Sequence, residues 1–313
     1  MIKKKVSATM GIILLNSLSF LATIFLAYGL KHIGIFKQED GQVLSKMIVY
    51  ITLPATIVNG VNGTKLTTLF LILAGIGLAS NGMMMLFAYF YGLREKDRNF
   101  RGLLLFTTGG YNIGNFAIPF VMAFFPSSIP YLGMFDMGNS FMVAGGTSAV
   151  TDRLMASKED APSFLDILKK LSKSPTFMVY IVMFSLAIIG IKIADDWMAP
   201  FKLLASANSF LSMFMIGLYM KINLHKEGIR NVRKLLLGRY TMATILAVFI
   251  YFFLPLSHLI KSVLVLIMFA PISNLTVIQA TEFGADEGVS GLASSLSIIV
   301  SLVIMSAVVT LVL

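Results

Sequence analysis

Two polar interruptions, each set in the middle of an apolar stretch, are the parts of this sequence best suited to binding chemistry. The first covers residues 109–119 (GGYNIGNFAIP) and the second residues 270–276 (APISNLT). Unpartnered backbone N–H and C=O groups in hydrocarbon cost several kcal/mol each, so such breaks occur only where these groups face protein or a water-filled cavity. A single break can be a proline kink satisfied by neighbouring side chains. The matched pair instead predicts a site.

The residues at these breaks favour an anionic ligand. Where a helix is interrupted, the first N–H groups of the downstream half lack partners and carry a partial positive charge. Asn112 and Asn115 add neutral amide donors, although each can alternatively cap or bridge helices. The polar or flexible residues of the two breaks form the candidate substrate-binding group: Tyr111, Asn112, Gly114, Asn115, Ser273 and Asn274.

Asp136 is the only carboxylate well inside an apolar stretch. Burying it in ionised form costs at least about 2.5 kcal/mol, so it should pair, face water or take up a proton. Asn139 and Ser140 lie on the same helical face, three and four residues later. The sequence therefore predicts either a proton-binding group, with Asn139 beside it, or a structural hydrogen-bond node to a Ser or Thr of a neighbouring helix.

The composition is that of a polytopic membrane protein. The chain has 313 residues, is 57% hydrophobic and 13% charged, and has a net charge of +10; its mean hydropathy is +0.85. Since a helical span needs roughly 20 apolar residues, we predict ten spans and no separate soluble domain. The spans are predicted at 11–30, 43–61, 69–93, 102–125, 131–151, 176–194, 201–220, 235–256, 262–281 and 289–313.

The predicted spans form two halves, 1–151 and 176–313, joined by a hydrophilic linker at 152–175. The spacing of Leu165, Leu168 and Leu171 predicts a short surface helix within this linker. An odd number of spans in each half means that the second half inserts upside down, as in the inverted repeats of many secondary transporters. The two breaks then occupy corresponding positions, in spans 4 and 9.

Positive charge sets the predicted orientation. Most of the 25 Lys and Arg residues fall in or beside the linkers after odd-numbered spans, a group in which we count Arg239, close to the start of span 8. By the positive-inside rule these linkers are cytoplasmic and both termini lie outside, in a multi-pass protein of the cell membrane. The triplet at Lys3, Lys4 and Lys5 opposes this orientation. Because the Lys and Arg residues of the chain are interpreted as topology signals, no nucleic-acid partner is expected.

Other function classes have less support. No nucleophile with a base, carboxylate pair or metal cluster is found in the spans, so an intramembrane enzyme is not expected, nor is a cofactor or metal. The chain contains no Cys. A channel stays open as an alternative, because polar helices also line pores. No Lys or Arg falls in spans 4, 5, 9 or 10, which suits a small carboxylate held by dipoles and amides.

Several motifs, in this order and spacing, resemble the auxin efflux carrier family, which contains the plant PIN-type carriers and many bacterial permeases. Residues 135–139 (FDMGN) are similar to the bacterial branch. The other matching segments are 50–55 (YITLPA), 111–119 (YNIGNFAIP), 214–220 (FMIGLYM), 270–271 (AP) and 280–284 (ATEFG).

This resemblance implies an all-α membrane fold of ten transmembrane helices in two inverted five-helix repeats, similar to NhaA and the bile-acid symporters. Spans 1, 2, 6 and 7 would form a scaffold and spans 3, 4, 5, 8, 9 and 10 a transport domain, with broken spans 4 and 9 crossing. Asn112 would meet a substrate carboxylate, and Pro271 would mark the crossing in span 9 as part of the site. Plant carriers have a proline where this chain has Tyr111.

The resemblance also implies the partners. The substrate would be a small organic anion, either a malate-like or malonate-like acid or an auxin-like acid, carried by alternating access. Plant carriers have ionisable residues in span 3, whereas residues 71–85 here have none, so proton coupling would fall to Asp136. A sodium-coupled symporter or an anion channel of the same fold stays as the alternative, and a homodimer is a possible assembly.

Overall fold

The chain folds entirely into helices and connecting loops wherever the structure, a computed structural model, describes it: residues 2–65, 67–155, 162–221 and 226–312. Residues 156–161 of the predicted central linker lie outside this description. The α-helices are α1 (Ile2–His32), α2 (Asp40–Met47), α3 (Leu53–Val61), α4 (Thr68–Tyr91), α5 (Arg98–Thr108), α6 (Ile118–Phe124), α7 (Ile129–Phe141), α8 (Thr147–Leu154), α9 (Phe164–Ser172), α10 (Pro175–Ile188), α11 (Ala199–Tyr219), α12 (Lys226–Phe253), α13 (His258–Met268), α14 (Asn274–Glu282) and α15 (Glu287–Val312).

Both predicted breaks are present as interruptions of the helical backbone. α5 ends at Thr108, and helical structure resumes only with the π-helical turn Ile113–Ala117 that leads into α6. α13 ends at Met268, and α14 begins at Asn274. Two further π-helical turns, Ile48–Thr52 and Met142–Gly146, join α2 to α3 and α7 to α8.

Length and hydropathy single out only some of these helices as membrane spans. Within the described ranges, five helical stretches could each cross a membrane, and a sixth qualifies if α9 and α10, bent by 83°, form one broken span. The five are 40–61, 68–91, 195–219, 228–253 and 287–311. The halves of a broken helix are too short to pass alone, so the inverted plan of ten spans stays a prediction.

The predicted surface helix in the linker is α9. It begins with a capping box, in which the Ser163 hydroxyl accepts from the Asp166 N–H and the Asp166 carboxylate accepts from the Ser163 N–H. Ile167 and Leu171 are buried, whereas Leu165 is exposed. The helix therefore lies on the protein by one apolar face, against α7 and the start of α10.

The helices pack in two groups. α1 and α3 pack against α11, and α10 packs against α3. In the second group, α4 packs against α7, α5 against α14, and α12 against both α13 and α15. The groups meet where α15 contacts α1 and where α7 contacts α3 and α10.

Glycines permit the close approach of α4 and α7. A Cβ atom at Gly138 would overlap with the Ala74 carbonyl oxygen, and one at Gly77 would overlap with the Phe135 carbonyl oxygen. Small residues let helix backbones pack closely in membranes, where the hydrophobic effect does not drive helices together. α7 carries Asp136 and Asn139, so this contact fixes their position relative to α4.

We therefore expect Gly138→Ala to destabilise the protein by about 1–3 kcal/mol, because the added methyl group forces the two backbones apart. The measurement is the thermal unfolding midpoint of the purified protein in detergent. Gly75→Ala on α4 is the control, because a Cβ atom there meets nothing within 4 Å. Equal midpoints for the two variants would contradict the close approach.

Candidate functional site

The two helix breaks lie against each other and exchange backbone hydrogen bonds. Tyr111 and Ile272 form an isolated antiparallel bridge. The Asn112 N–H donates to the Pro271 carbonyl at 3.0 Å, and the Ser273 N–H donates to the Gly110 carbonyl at 3.4 Å. Backbone N–H and C=O groups at a helix break have no partner within their own helix. Each break therefore supplies hydrogen-bond partners for such groups of the other break.

Two asparagines from neighbouring helices satisfy the first break. Asn81 of α4 accepts the Gly110 N–H at 2.6 Å through its Oδ1. Asn139 of α7 accepts the Tyr111 N–H at 3.0 Å and donates to the Tyr111 carbonyl at 3.1 Å. Gly110 has a φ of 75°, a left-handed conformation that glycine adopts without strain. The second break is supported similarly, since the Ser297 hydroxyl of α15 accepts the Ile272 N–H.

Arg239 of α12 lies at the junction of the two breaks and is completely buried. Its Nη1 donates to the carbonyls of Thr107 and Thr108 at 2.6 and 2.9 Å. Its Nη2 donates to Ala270 at 2.8 Å and Pro271 at 3.2 Å. Our assignment of Arg239 to the cytoplasmic topology signals is therefore wrong: α12 begins at Lys226, so this residue sits in mid-helix rather than at a helix end.

Asp136 is buried on α7 and has two side-chain hydrogen-bond donors. Asn139 Nδ2 donates to Oδ1 at 3.0 Å, as the spacing predicts, and Tyr180 Oη donates to Oδ2 at 3.4 Å. Tyr180 belongs to α10, so the partner from a neighbouring helix is a tyrosine rather than the predicted Ser or Thr. Asn139 forms hydrogen bonds with both the Asp136 carboxylate and the Tyr111 backbone, so it links Asp136 to the first break.

A cavity of about 470 Å³ opens beside the paired breaks. Its walls come from both breaks, from α7, from α14, from the start of α10 and from Val49 and Leu53. This volume lies within the range of small-ligand sites, about 300–1,000 Å³. Of the residues predicted for the site, those on its lining are Tyr111, Asn112, Gly114, Asn115, Asp136, Asn139, Ser273 and Asn274.

Pro271 is the one predicted site residue that does not line the cavity. It is buried behind the lining, where its carbonyl accepts the Asn112 N–H and an Arg239 N–H. Its contribution is therefore to hold the two breaks together rather than to touch a ligand.

Asn112 has the best-placed donor for a ligand. Its side chain is only 5% exposed, and Nδ2 finds no hydrogen-bond partner among the described residues. A buried polar group without a partner costs about 1–3 kcal/mol, so a group of this kind on a cavity wall is suited to a ligand acceptor. Ser273 and Asn274, at the start of α14, lie on the same lining.

Charged side chains also reach this cavity. Lys170 of α9 and Glu282 at the end of α14 both line it, and both are solvent-exposed. The cavity therefore has its charged end on the side of the central linker. The prediction that dipoles and amides alone would hold an anion is incomplete, since the linker helix adds a cation.

Sequence reasoning did not identify four residues that line the cavity or form hydrogen bonds with the breaks or with Asp136. They are Asn81, Lys170, Tyr180 and Arg239. Arg239 carried a usable signal, because a cation inside an apolar run is by default a candidate functional residue. Lys170 and Tyr180 carried none, since only the packing of α9 and α10 brings them to the site.

Comparison with known proteins identifies the kind of protein to which this site belongs. A family model described as "Membrane transport protein" matches residues 12–309, nearly the whole chain. A comparison with curated proteins found no match. The family match confirms the resemblance seen in the motifs, and with the apolar helices it makes the chain a multi-pass membrane protein. The chain belongs to the auxin efflux carrier family of membrane transport proteins.

Proposed function

We propose that the protein is a secondary transporter of a small organic anion and works by alternating access. The observation that carries this proposal is the cavity beside the two breaks, with the unpartnered Nδ2 of Asn112 on its wall. The start of α14 adds backbone N–H groups without intrahelical partners, which attract negative charge. A carboxylate provides the acceptor oxygens that these donors lack.

Size and charge favour a small anion. Apart from Asn112, the nearby lining supplies neutral polar groups from Asn115, Ser273 and Asn274, whereas Lys170 stands at the exposed end. One cation suits a malate-like, malonate-like or auxin-like acid better than a polyanion. Glu282 offsets part of the field of Lys170, and Asp136 also lines the cavity, so strong non-selective anion binding is not expected.

Movement between two domains would provide alternating access. We assign spans 1, 2, 6 and 7 to a scaffold and the remaining spans to a transport domain. The packing of α1, α3, α10 and α11 in one group supports this division. Both groups line the cavity, since Leu53 and Thr176 belong to α3 and α10 whereas Asp136 and Asn274 belong to α7 and α14. A cavity open beside the linker helix corresponds to a cytoplasm-facing state, with both termini outside the cell membrane.

Asp136 is our candidate for proton coupling. Its carboxylate binds Asn139 of its own helix and Tyr180 of α10, which belongs to the proposed scaffold. Uptake of a proton by Asp136 changes the bonds available to both partners, since a neutral carboxyl group has a donor of its own. Proton binding at this residue is thereby linked to the contact between the two proposed domains.

The experiment that tests the function is uptake into proteoliposomes from a panel of mono- and dicarboxylates, with and without a pH gradient. Saturable uptake and countertransport of at least one carboxylate are expected of a carrier. Flux that does not saturate would indicate a channel, and no flux of any carboxylate would contradict the proposal.

Asn112→Ala should raise the dissociation constant of the carried carboxylate about tenfold or more. A hydrogen bond to a charged group contributes about 1.5–3 kcal/mol, and 1.4 kcal/mol is a factor of ten. The measurement is equilibrium binding to the purified protein, and Asn99→Ala, an exposed position at the start of α5, is the control. Unchanged affinity would remove Asn112 from the site.

Lys170→Gln should raise the KM for uptake several-fold and reduce its dependence on salt, because an exposed cation attracts the anion through a field that salt screens. Lys169→Gln is the matched control, since Lys169 is adjacent on α9 but does not line the cavity. Equal kinetics for the two variants would show that Lys170 does not act on the substrate.

Asp136→Asn should retain carboxylate exchange but lose accumulation driven by a pH gradient, because an amide cannot take up or release a proton at this site. Exchange and gradient-driven uptake are measured on the same proteoliposomes. Asp195→Asn, at an exposed position in the 3-10 helix before α11, is the control. If Asp136→Asn accumulates substrate as the unmodified protein does, Asp136 has a structural role only.

A further inference from the structure

Among the residues whose burial the structure describes, Arg239 is the one buried cation, and no step of the proposed transport cycle uses it. Its side chain is 0% exposed, and no carboxylate forms an ion pair with it among the described residues. Its partners are backbone carbonyls of both breaks. A buried, unpaired charge is strongly unfavourable, so the surroundings of Arg239 must supply compensating negative charge.

The compensating charge comes from two helix C-termini. Thr107 and Thr108 are the last residues of α5, and Ala270 follows the end of α13. Each helix C-terminus carries about half a unit of negative charge. Two such ends that meet at one point are together equivalent to about one negative charge. One guanidinium group neutralises them.

The geometry requires an arginine. Nη1 binds only carbonyls of the first broken helix, and Nη2 binds Ala270 and Pro271 of the second, with Gly110 at 3.4 Å. The planar guanidinium presents donors in a fixed fork, whereas a lysine ammonium is a single point of charge. The fork therefore bridges the two broken helices, and the Arg239 side chain stacks near the Tyr111 ring, with Cζ 5.5 Å from the ring centre.

In transporters with discontinuous helices, unwound carbonyls and half-helix C-termini are the groups that coordinate Na⁺. We propose that Arg239 is a built-in cation that occupies this carbonyl cluster, holds the two broken helices together and takes the place of a bound monovalent metal ion. Removal of the guanidinium would leave at least four carbonyl oxygens facing one another, a site suited to a small cation. The consequence for coupling is that transport needs no Na⁺, and this consequence rests on the proposed function. The occupancy of the carbonyl cluster by Arg239 does not rest on the proposed function.

The test uses the purified full chain in detergent and needs no substrate. Thermal unfolding midpoints are measured in NaCl and in choline chloride at equal ionic strength. The unmodified protein should show the same midpoint in both salts. Arg239→Ala should unfold at a lower temperature in choline chloride and recover part of the loss in NaCl, because Na⁺ binds the freed carbonyls and stabilises the folded state. Arg233→Gln, an exposed position on the same helix, should behave like the unmodified protein.

A second variant covers the case in which Arg239→Ala does not fold. Arg239→Lys keeps the charge but loses the fork, so its midpoint should fall and should not respond to Na⁺. The proposal is overturned if Na⁺ raises the midpoint of the unmodified protein, if Arg239→Lys is as stable as that protein, or if folded Arg239→Ala does not respond to Na⁺. None of these outcomes depends on carboxylate flux, so failure here is distinguishable from failure of the proposed function.

Discussion

Backbone hydrogen bonding at the two helix breaks is the constraint on which this structure depends. Within a bilayer, unwound backbone must find its partners inside the protein. Here the breaks supply partners to each other, through the Asn112–Pro271 and Ser273–Gly110 bonds. Further backbone N–H and C=O groups of the breaks form hydrogen bonds with the side chains of Asn81, Asn139, Ser297 and Arg239. Helices α4, α7, α12 and α15 are thus tied to the junction by one polar side chain each.

The same constraint explains why a candidate ligand site forms here. Satisfying the breaks fixes the backbone of residues 110–115 and 270–274 and turns the start of α14 towards a cavity. The carbonyl ends of the broken helices face Arg239, whereas the N–H end of α14 and the free donor of Asn112 face the cavity. Negative and positive helix ends are thereby separated, and the cavity side is left to attract an anion. Asp136 joins this system through Asn139, so the proposed proton-coupling residue and the proposed substrate site share one support.

Local patterns predicted the parts of the site that depend on local sequence. The breaks follow from their glycines and prolines, and the Asp136–Asn139 contact follows from helical spacing. The contacts of Arg239, Lys170 and Tyr180 depend on how distant helices pack, which periodicity does not encode. Arg239 was misassigned because hydropathy placed the start of span 8 at residue 235, whereas the helix begins at Lys226. The number of spans stays open for a related reason, since a broken helix offers two short apolar pieces instead of one long run.

The absence of Cys from the sequence allows the most direct test of the central claim, that a carboxylate binds beside the paired breaks. Single cysteines replace Asn115 or Asn274 on the cavity wall, or Ser127 in an exposed turn as the control. The rate of alkylation is then measured with and without each acid of a carboxylate panel. Binding at the breaks predicts that at least one carboxylate slows alkylation at positions 115 and 274 and leaves position 127 unchanged. No protection by any carboxylate, or equal protection at all three positions, would contradict it.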